Sequence, residues 1–427
     1  MNYRPDNIRQ MPLNRQQERP NAPAPAKRRR KLWNRVFTLG IGLDMYLLIA
    51  VLILLGIGLV TLFSASYAYG YYYEGDSYAY IRKQGIFAIG GVIAMLFIST
   101  FNYRNFQKLA WPFFIGYIGL LAVVLVFKGT SIVPQINGAY RWISIGPIQF
   151  QASEVAKFGI VVALANILSR QTDEKNYTKK VFIPAFAVLA ITVVLIIAEK
   201  HISATIIICI ISAIVMLIGG IKFRWFAGLG ALGAAALGVV ITNSDNFAYA
   251  LRRIQGWLSP FNPPDGVDTY QTVQSLYAIG SGGLLGLGFG NSRQKYLFLP
   301  EPQNDFIFAV YCEETGFVGA CLVIVLFIFL VYRGYKISLN ARDRFGALLG
   351  LGITFTIGLQ AALNICVVTG VIPNTGISLP FFSYGGTSLL MLLGEVGVLL
   401  SISRNNYNDT TRIEQQIQAS EEKEAEF

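Results

Sequence analysis

The succession of long apolar runs is what most constrains this chain. A bilayer core takes roughly 17 to 25 residues of helix to cross, and about ten stretches of that character can be read along the sequence. They begin near Ile41, Gly85, Leu109, Val155, Val181, Ile202, Trp225, Ile307, Ala347 and Ser388. In hydrocarbon every backbone N–H and C=O must find its partner inside the protein, so these runs are expected to be helices. The predicted fold class is an all-α polytopic membrane protein with about ten transmembrane helices. A 54% hydrophobic composition over 427 residues agrees with that reading.

Charge orients the chain. Of the net +11, ten basic residues lie within Met1 to Gly40, including the run Lys27, Arg28, Arg29, Arg30 and Lys31. A basic run before a first span marks the cytoplasmic side. No recognition module accompanies it, so nucleic acid is not an expected partner. Short alternate loops carry Arg104 and Lys108, then Arg170, Lys175, Lys179 and Lys180, then Lys222 and Arg224, then Arg333, Lys336, Arg342 and Arg344. An even number of spans places both termini in the cytoplasm. The expected organisation is a disordered basic tail over 1–40, a membrane domain over 41–404 and a disordered acidic tail over 405–427.

The segment 242–304, between the seventh and eighth spans, is too long for a connector and is predicted to be a large extracellular loop. Within it, "NFAYALRRIQGWLSPF" reads as an interfacial amphipathic helix with Trp257 as anchor and Arg252 and Arg253 toward head groups. "GSGGLLGLGFG" matches no phosphate-loop pattern and is better read as close backbone approach or a re-entrant segment. Cys209, Cys312, Cys321 and Cys366 all fall in apolar runs, without metal-ligand spacing, and His201 is the sole histidine. Neither a disulfide framework nor a zinc site is implied.

Several charges sit where charge is costly. In "FLPEPQNDFIFA", Asp305 stands at the leading edge of the eighth span, where it could cap the helix or act as a general base. In "QASEVAKFGI", Glu154 and Lys157 share one helix face, either as an ion pair or with Lys157 toward a diphosphate. "GAYRWISIGPIQF" supplies Arg141 and Trp142 at the outer interface, for phosphate pairing and sugar stacking or as an aromatic belt. Glu313, Glu314 and Glu395 lie deeper and are what a transporter would use. "TGVIPNTGISLPFFSYGGTSLL" breaks an apolar region with Pro373, Pro380 and several glycines, which is tolerated only where backbone lines a cavity or is buried in protein.

Three of these stretches, "GAYRWISIGPIQFQASEVAK", "YQTVQSLYAIGSGGLLGLGFGNSRQKYLFLPEPQNDFIFAVYCEETGFVGA" and "GVIPNTGISLPFFSYGGTSLL", together resemble the SEDS family of shape, elongation, division and sporulation proteins. The resemblance covers essentially the whole membrane region, in family order. It implies a ten-span glycosyltransferase of the bacterial cytoplasmic membrane that polymerises lipid II into β-1,4 glycan strands at the outer face. The acid before "FIFA" is the family's essential aspartate, here Asp305. Substrate-binding candidates carried by the same motifs are Arg141, Trp142, Glu154, Lys157, Gln274, Ser275, Lys295, Glu301, Ser383, Gly385, Gly386 and Thr387. The family often has His-Thr where this chain has Gln303 and Asn304, usually a proline at Lys200, and in many members an Asp at His201, so His201 is given no role.

The implied reaction joins the 4-hydroxyl of one lipid II sugar to the anomeric carbon of a growing chain, with Asp305 taking the proton. Arg141, Lys157 and Lys295 are the cations expected near phosphate. No cofactor is required by these residues, although a divalent cation, Mg or Mn, could assist. The family implies a class B penicillin-binding transpeptidase and divisome membrane proteins as partners. "GNSRQK" and "SLPFFSYGGTSLL" favour the division and sporulation branch, hence the septum, over the elongation branch. A lipid II flippase and a membrane scaffold are the rival readings.

Overall fold

The computed structural model describes residues 42–135, 140–146, 148–170, 177–199, 201–226 and 254–425, with side chains to 406 apart from those of Ile145 and Ile148. The tail over 1–40, the body of the seventh expected run, Arg252, Arg253 and Lys200 lie outside the described residues. The remaining apolar runs are helical. In chain order the elements are α1 Met45–Glu74, α2 Ala79–Ile98, a short α3 Arg104–Lys108 and α4 Ala110–Val126, then strands β1 Trp142–Ile145 and β2 Ile148–Gln151. There follow α5 Ala152–Leu168, a π-turn Thr178–Phe182 leading into α6 Ile183–Ala198, and α7 Ile202–Ile218. The last four are α8 Tyr270–Gly282, α9 Ile307–Leu339, α10 Arg344–Val368 and α11 Gly386–Ala425. Among the described residues six helices are long and apolar enough to cross a membrane: α1, α2, α6 with its π-turn, α9, α10 and α11 to Asn406. Shorter apolar helices α4 and α7 accompany them.

At the centre stands α5. Of its seventeen residues only Glu154 and Val155 escape burial, because α4, α6, α7 and α10 surround it. A helix apolar on all sides belongs in such a place, and here its one cation, Lys157, travels with an anion. On the far flank α11 packs on α2, and α9 bridges α10, α8 and α1.

One end of the bundle is tied by charge. Asp44 caps α1 by accepting from Leu47 N at 2.8 Å and also pairs with Arg333. Asp343 caps α10 by accepting from Gly346 N at 2.8 Å and pairs with Arg104 at 2.7 Å. Arg344 donates to the Gly219 carbonyl at 2.7 Å. Cationic loops thus meet carboxylates and carbonyls at one face, and the long 254–306 segment lies at the other.

Two features depart from the sequence reading. Residues 142–151 form an antiparallel hairpin, with Trp142 opposite Gln151 and Ile143 opposite Phe150, inside what reads as a plain loop. The tail over 405–427, expected to be disordered, continues α11 as helix to Ala425. It has neither Gly nor Pro, and eight of its residues are Glu or Gln, both good helix formers.

The glycine segment, expected to be a close backbone approach or a re-entrant segment, makes a close backbone approach, and the cause is clear. Helix α9 breaks at Gly316, which has φ 69° and ψ −167°. The loop after α8 fills the break: Leu287 and Gly288 donate to the carbonyls of Glu313 and Glu314, while Phe317 and Val318 donate to those of Gly283 and Leu284. A Cβ on Gly286 would lie 2.2 Å from the Glu314 carbonyl oxygen, so only glycine admits this approach.

Candidate functional site

Asp305 lies two residues before the first residue of α9. Helix capping, one of its two readings, is not realised: the residue at the cap is Phe306, and no side chain caps the helix. The Asp305 carboxylate accepts no hydrogen bond from the described residues; its main chain is held instead. Asn364 on α10 donates to the Asp305 carbonyl at 2.7 Å and to the Ile377 carbonyl at 2.6 Å, locking the acid's loop against the irregular 371–385 segment. Gly376, with φ +66°, passes beside it, and a Cβ there would come within 3.3 Å of Oδ2. The backbone is held, while the side chain is half-buried beside Gly376.

Its surroundings shift its acidity. Burial and the nearby Glu301 carboxylate push the Asp305 carboxyl up to about 6, with the Arg141 guanidinium opposing them. Glu301 is itself fixed by a left-handed backbone, φ 47°, and by Asn304, whose Nδ2 donates to it at 2.9 Å. Arg141, at the start of the hairpin, is pushed down by burial and held up by Asp305 and Glu199. Glu199, at the end of α6, is 3% exposed, and burial pushes it up to about 8. His201, pushed down to about 3 by burial and the cations Arg141 and Lys157, is neutral at working pH and shares a 3.1 Å hydrogen bond with Ser153.

The other candidates fall into three groups. Glu154 and Lys157 do form the ion pair, at 2.8 Å, and Lys157 also donates to Gln360 Oε1 at 3.0 Å. Gln360 in turn donates to the Ser378 carbonyl at 3.2 Å, and Ser388 donates to Glu154 at 3.2 Å. Lys157, 5% exposed, therefore supports the floor of the 371–385 segment; it does not present a free ammonium. In the second group, Ser383 Oγ accepts from Leu379 N, Gly385 N donates to Gln84, and Thr387 donates to the Gln149 carbonyl, joining the segment to α2 and the hairpin. Gly386 lies against Phe87, Trp142 is half-buried in β1, and Ser275 on α8 donates to the Val368 carbonyl at 2.8 Å. Gln274 is half-buried on α8.

Lys295 is the correction. Expected near phosphate, it is 3% exposed and its three N–H groups meet Ser64 at 2.8 Å, Gly290 O at 2.6 Å and Glu314 at 3.0 Å. An ammonium has three donors, so none is left for a ligand. Its partner Glu314 and the adjacent Glu313 are likewise engaged, Glu313 accepting from Ser292, Ser281 and the backbone N–H groups of Arg293 and Gln294. Glu313 and Glu314 close the loop that follows α8. Sequence reasoning missed Asn364 and Gln360, although two amides four residues apart in an apolar helix are a readable signal of interhelical bonding.

Among the described residues no group of three or more His, Cys, Asp or Glu side chains is arranged to hold a metal ion, so the Mg or Mn ion left open by the sequence is given no ligands. Fold and site together define a polytopic helical membrane protein with a half-buried, raised carboxylate and a guanidinium on one face of the bundle. Residues 45–408 match the family model of the FtsW, RodA and SpoVE proteins, described as cell cycle proteins, and the chain belongs to that family. It is 39% identical over 332 residues, 77% of this chain and 88% of the relative, to stage V sporulation protein E of Bacillus subtilis (strain 168). It is 33% identical over 329 residues, 77% and 86%, to the probable peptidoglycan glycosyltransferase FtsW of Geobacter sulfurreducens (strain DL-1 / KN400). The fold superposes with a TM-score of 0.70 and 26% identity, over 86% of this chain and 99% of the other, on a chain of a peptidoglycan synthase complex that coordinates polymerization and crosslinking. The Rod shape determining protein RodA of Thermus thermophilus gives 0.62 and 25%, over 86% and 98%.

Proposed function

We infer that this chain is a peptidoglycan glycosyltransferase that polymerises lipid II, with Asp305 as the base. The observation that carries the reading is an Asp305 carboxylate free of capping and raised to about 6, beside Arg141. A base works best with a pKa near operating pH, and this one is ionised above pH 6 yet basic enough to receive a hydroxyl proton. In the reaction the acceptor 4-hydroxyl oxygen bonds to the anomeric carbon and its proton passes to Asp305. The bond from that carbon to the lipid diphosphate breaks, and the electron pair leaves on phosphate, where Arg141 offers a planar cation. A diphosphate leaving group makes a second carboxylic acid unnecessary, unlike glycoside hydrolysis.

The finer assignments follow the family: the outer membrane face, a septal setting, and a class B transpeptidase and divisome partners. The flippase reading leans on Glu313, Glu314 and Glu395, of which the first two here close a loop. Purified full-length protein given lipid II alone is expected to make glycan strands, and Asp305→Asn to lose at least about 100-fold of the rate. Substantial polymer from the Asn variant would remove Asp305 as the base; scrambling of lipid II without polymer from the wild type would reinstate the flippase.

A further inference from the structure

The stretch "SYAYGYYYEGDSYAY" is unusually rich in tyrosine, and the structure organises part of it as a track leading from the candidate site. Tyr384 donates its backbone N–H to the Gln303 carbonyl at 2.9 Å, two residues from Asp305. Its ring meets Tyr80 at 4.9 Å, Tyr80 meets Tyr69 at 6.0 Å, and Tyr69 meets Tyr73 at 4.4 Å. Tyr69 and Tyr80 also lie within electrostatic reach of Glu301. At the far end Tyr71, Tyr72 and Tyr73 are 63, 66 and 67% exposed.

A membrane-anchoring belt does not account for the whole array. Helix α1 is 30 residues long, about 45 Å at 1.5 Å per residue, whereas the hydrocarbon core is about 30 Å thick. Its start is fixed at the opposite face by the Asp44 cap and the pair with Arg333. Tyr67 then falls at interfacial depth, and Tyr71 to Tyr73 stand a turn or more above it.

We propose that this tyrosine track is a product-binding surface along which the growing glycan strand leaves the site. The inference rests on the glycosyltransferase reading above. A pyranose presents a face of C–H groups that packs on an aromatic ring and a rim of hydroxyl and amide groups that a phenol can hydrogen-bond, so rings in succession suit a repeating sugar polymer. Such a surface holds the strand between additions and thereby sets its length.

The test compares strand lengths made from lipid II by full-length wild type, Tyr72→Ala/Tyr73→Ala and Tyr72→Phe/Tyr73→Phe, sampled at equal lipid II consumption. The Ala pair is expected to shorten the mean strand about threefold or more, and the Phe pair, which keeps both ring faces, to stay within about a factor of two of the wild type. Wild-type lengths from the Ala pair would overturn the proposal. A second arm uses the Asp305→Asn protein and a soluble β-1,4 N-acetylglucosamine oligomer, with binding read by saturation transfer to the sugar. Binding that the Ala pair abolishes is expected; equal binding with and without the two rings overturns the track. If the wild type makes no polymer, the functional reading fails by itself, and the oligosaccharide arm still decides the surface.

Discussion

Asp305 shows how much a single carboxylate depends on what does not touch it. An acid capping α9 would be stabilised in its charged form by the helix N–H groups, which makes a weak base. Here Phe306 occupies the cap, and Glu301 with burial raises the acid to about 6. The polymerisation rate is therefore expected to fall as pH drops through about 6, as Asp305 takes up a proton, and an acid limb more than a unit away would contradict the assignment. Stability carries the opposite sign. A carboxyl whose folded pKa lies above its ordinary 3.8 favours the fold only while protonated, so that contribution is lost as pH rises from about 4 through about 6. Asp305→Asn should thus melt higher than wild type at pH 7.5 in detergent, with the gap narrowing toward pH 4. An Asn variant that melts lower at neutral pH would show that the carboxylate is relieved by a partner.

At the scale of elements, the broken helix and its loop form one of the tightest contacts among the described residues. Gly286→Ala places a Cβ 2.2 Å from a carbonyl oxygen at φ +80° and should destabilise by about 2 kcal/mol or more. Gly85→Ala, in α2 with nothing within 4 Å, should be neutral or slightly stabilising, and thermal melting of both variants separates a local clash from a general intolerance of alanine. Helices of this kind are legible from hydropathy because the bilayer imposes one period and one length. The hairpin at 142–151 is carried by a short signal that a plain-loop reading passes over: "ISIGPIQFQ" alternates apolar and polar residues on both sides of a Gly-Pro turn. Asp305, Arg141, Glu154 and Lys157 could be picked out as charges in costly places. The roles of Lys295 and Lys157 could not, since both depend on distant partners: Glu314 and Ser64 for the first, Gln360 for the second.

Across the whole molecule, charge sorts to two ends. Arg104, Arg333 and Arg344 bind Asp343, Asp44 and the Gly219 carbonyl at one face, and Asp305, Arg141, Glu199 and Glu301 gather at the other. The positive-inside rule assigns the first to the cytoplasm. A cysteine at Lys336 should react with an impermeant maleimide only after the membrane is opened, and one at Asp268 in intact cells; the reverse pattern would invert the topology.

The break at Gly316 also bears on how the protein is made. Four of the backbone bonds that complete α9 come from residues 283–288, a stretch synthesised before the helix itself. This helix cannot be finished by its own sequence: alone in hydrocarbon it would leave peptide groups at the break without partners, at several kcal/mol each. Secure integration of α9 therefore waits on docking of a loop the ribosome has already released. A chain in which that loop has not seated exposes an unfinished span, which distinguishes an immature copy from a mature one before any sugar is joined.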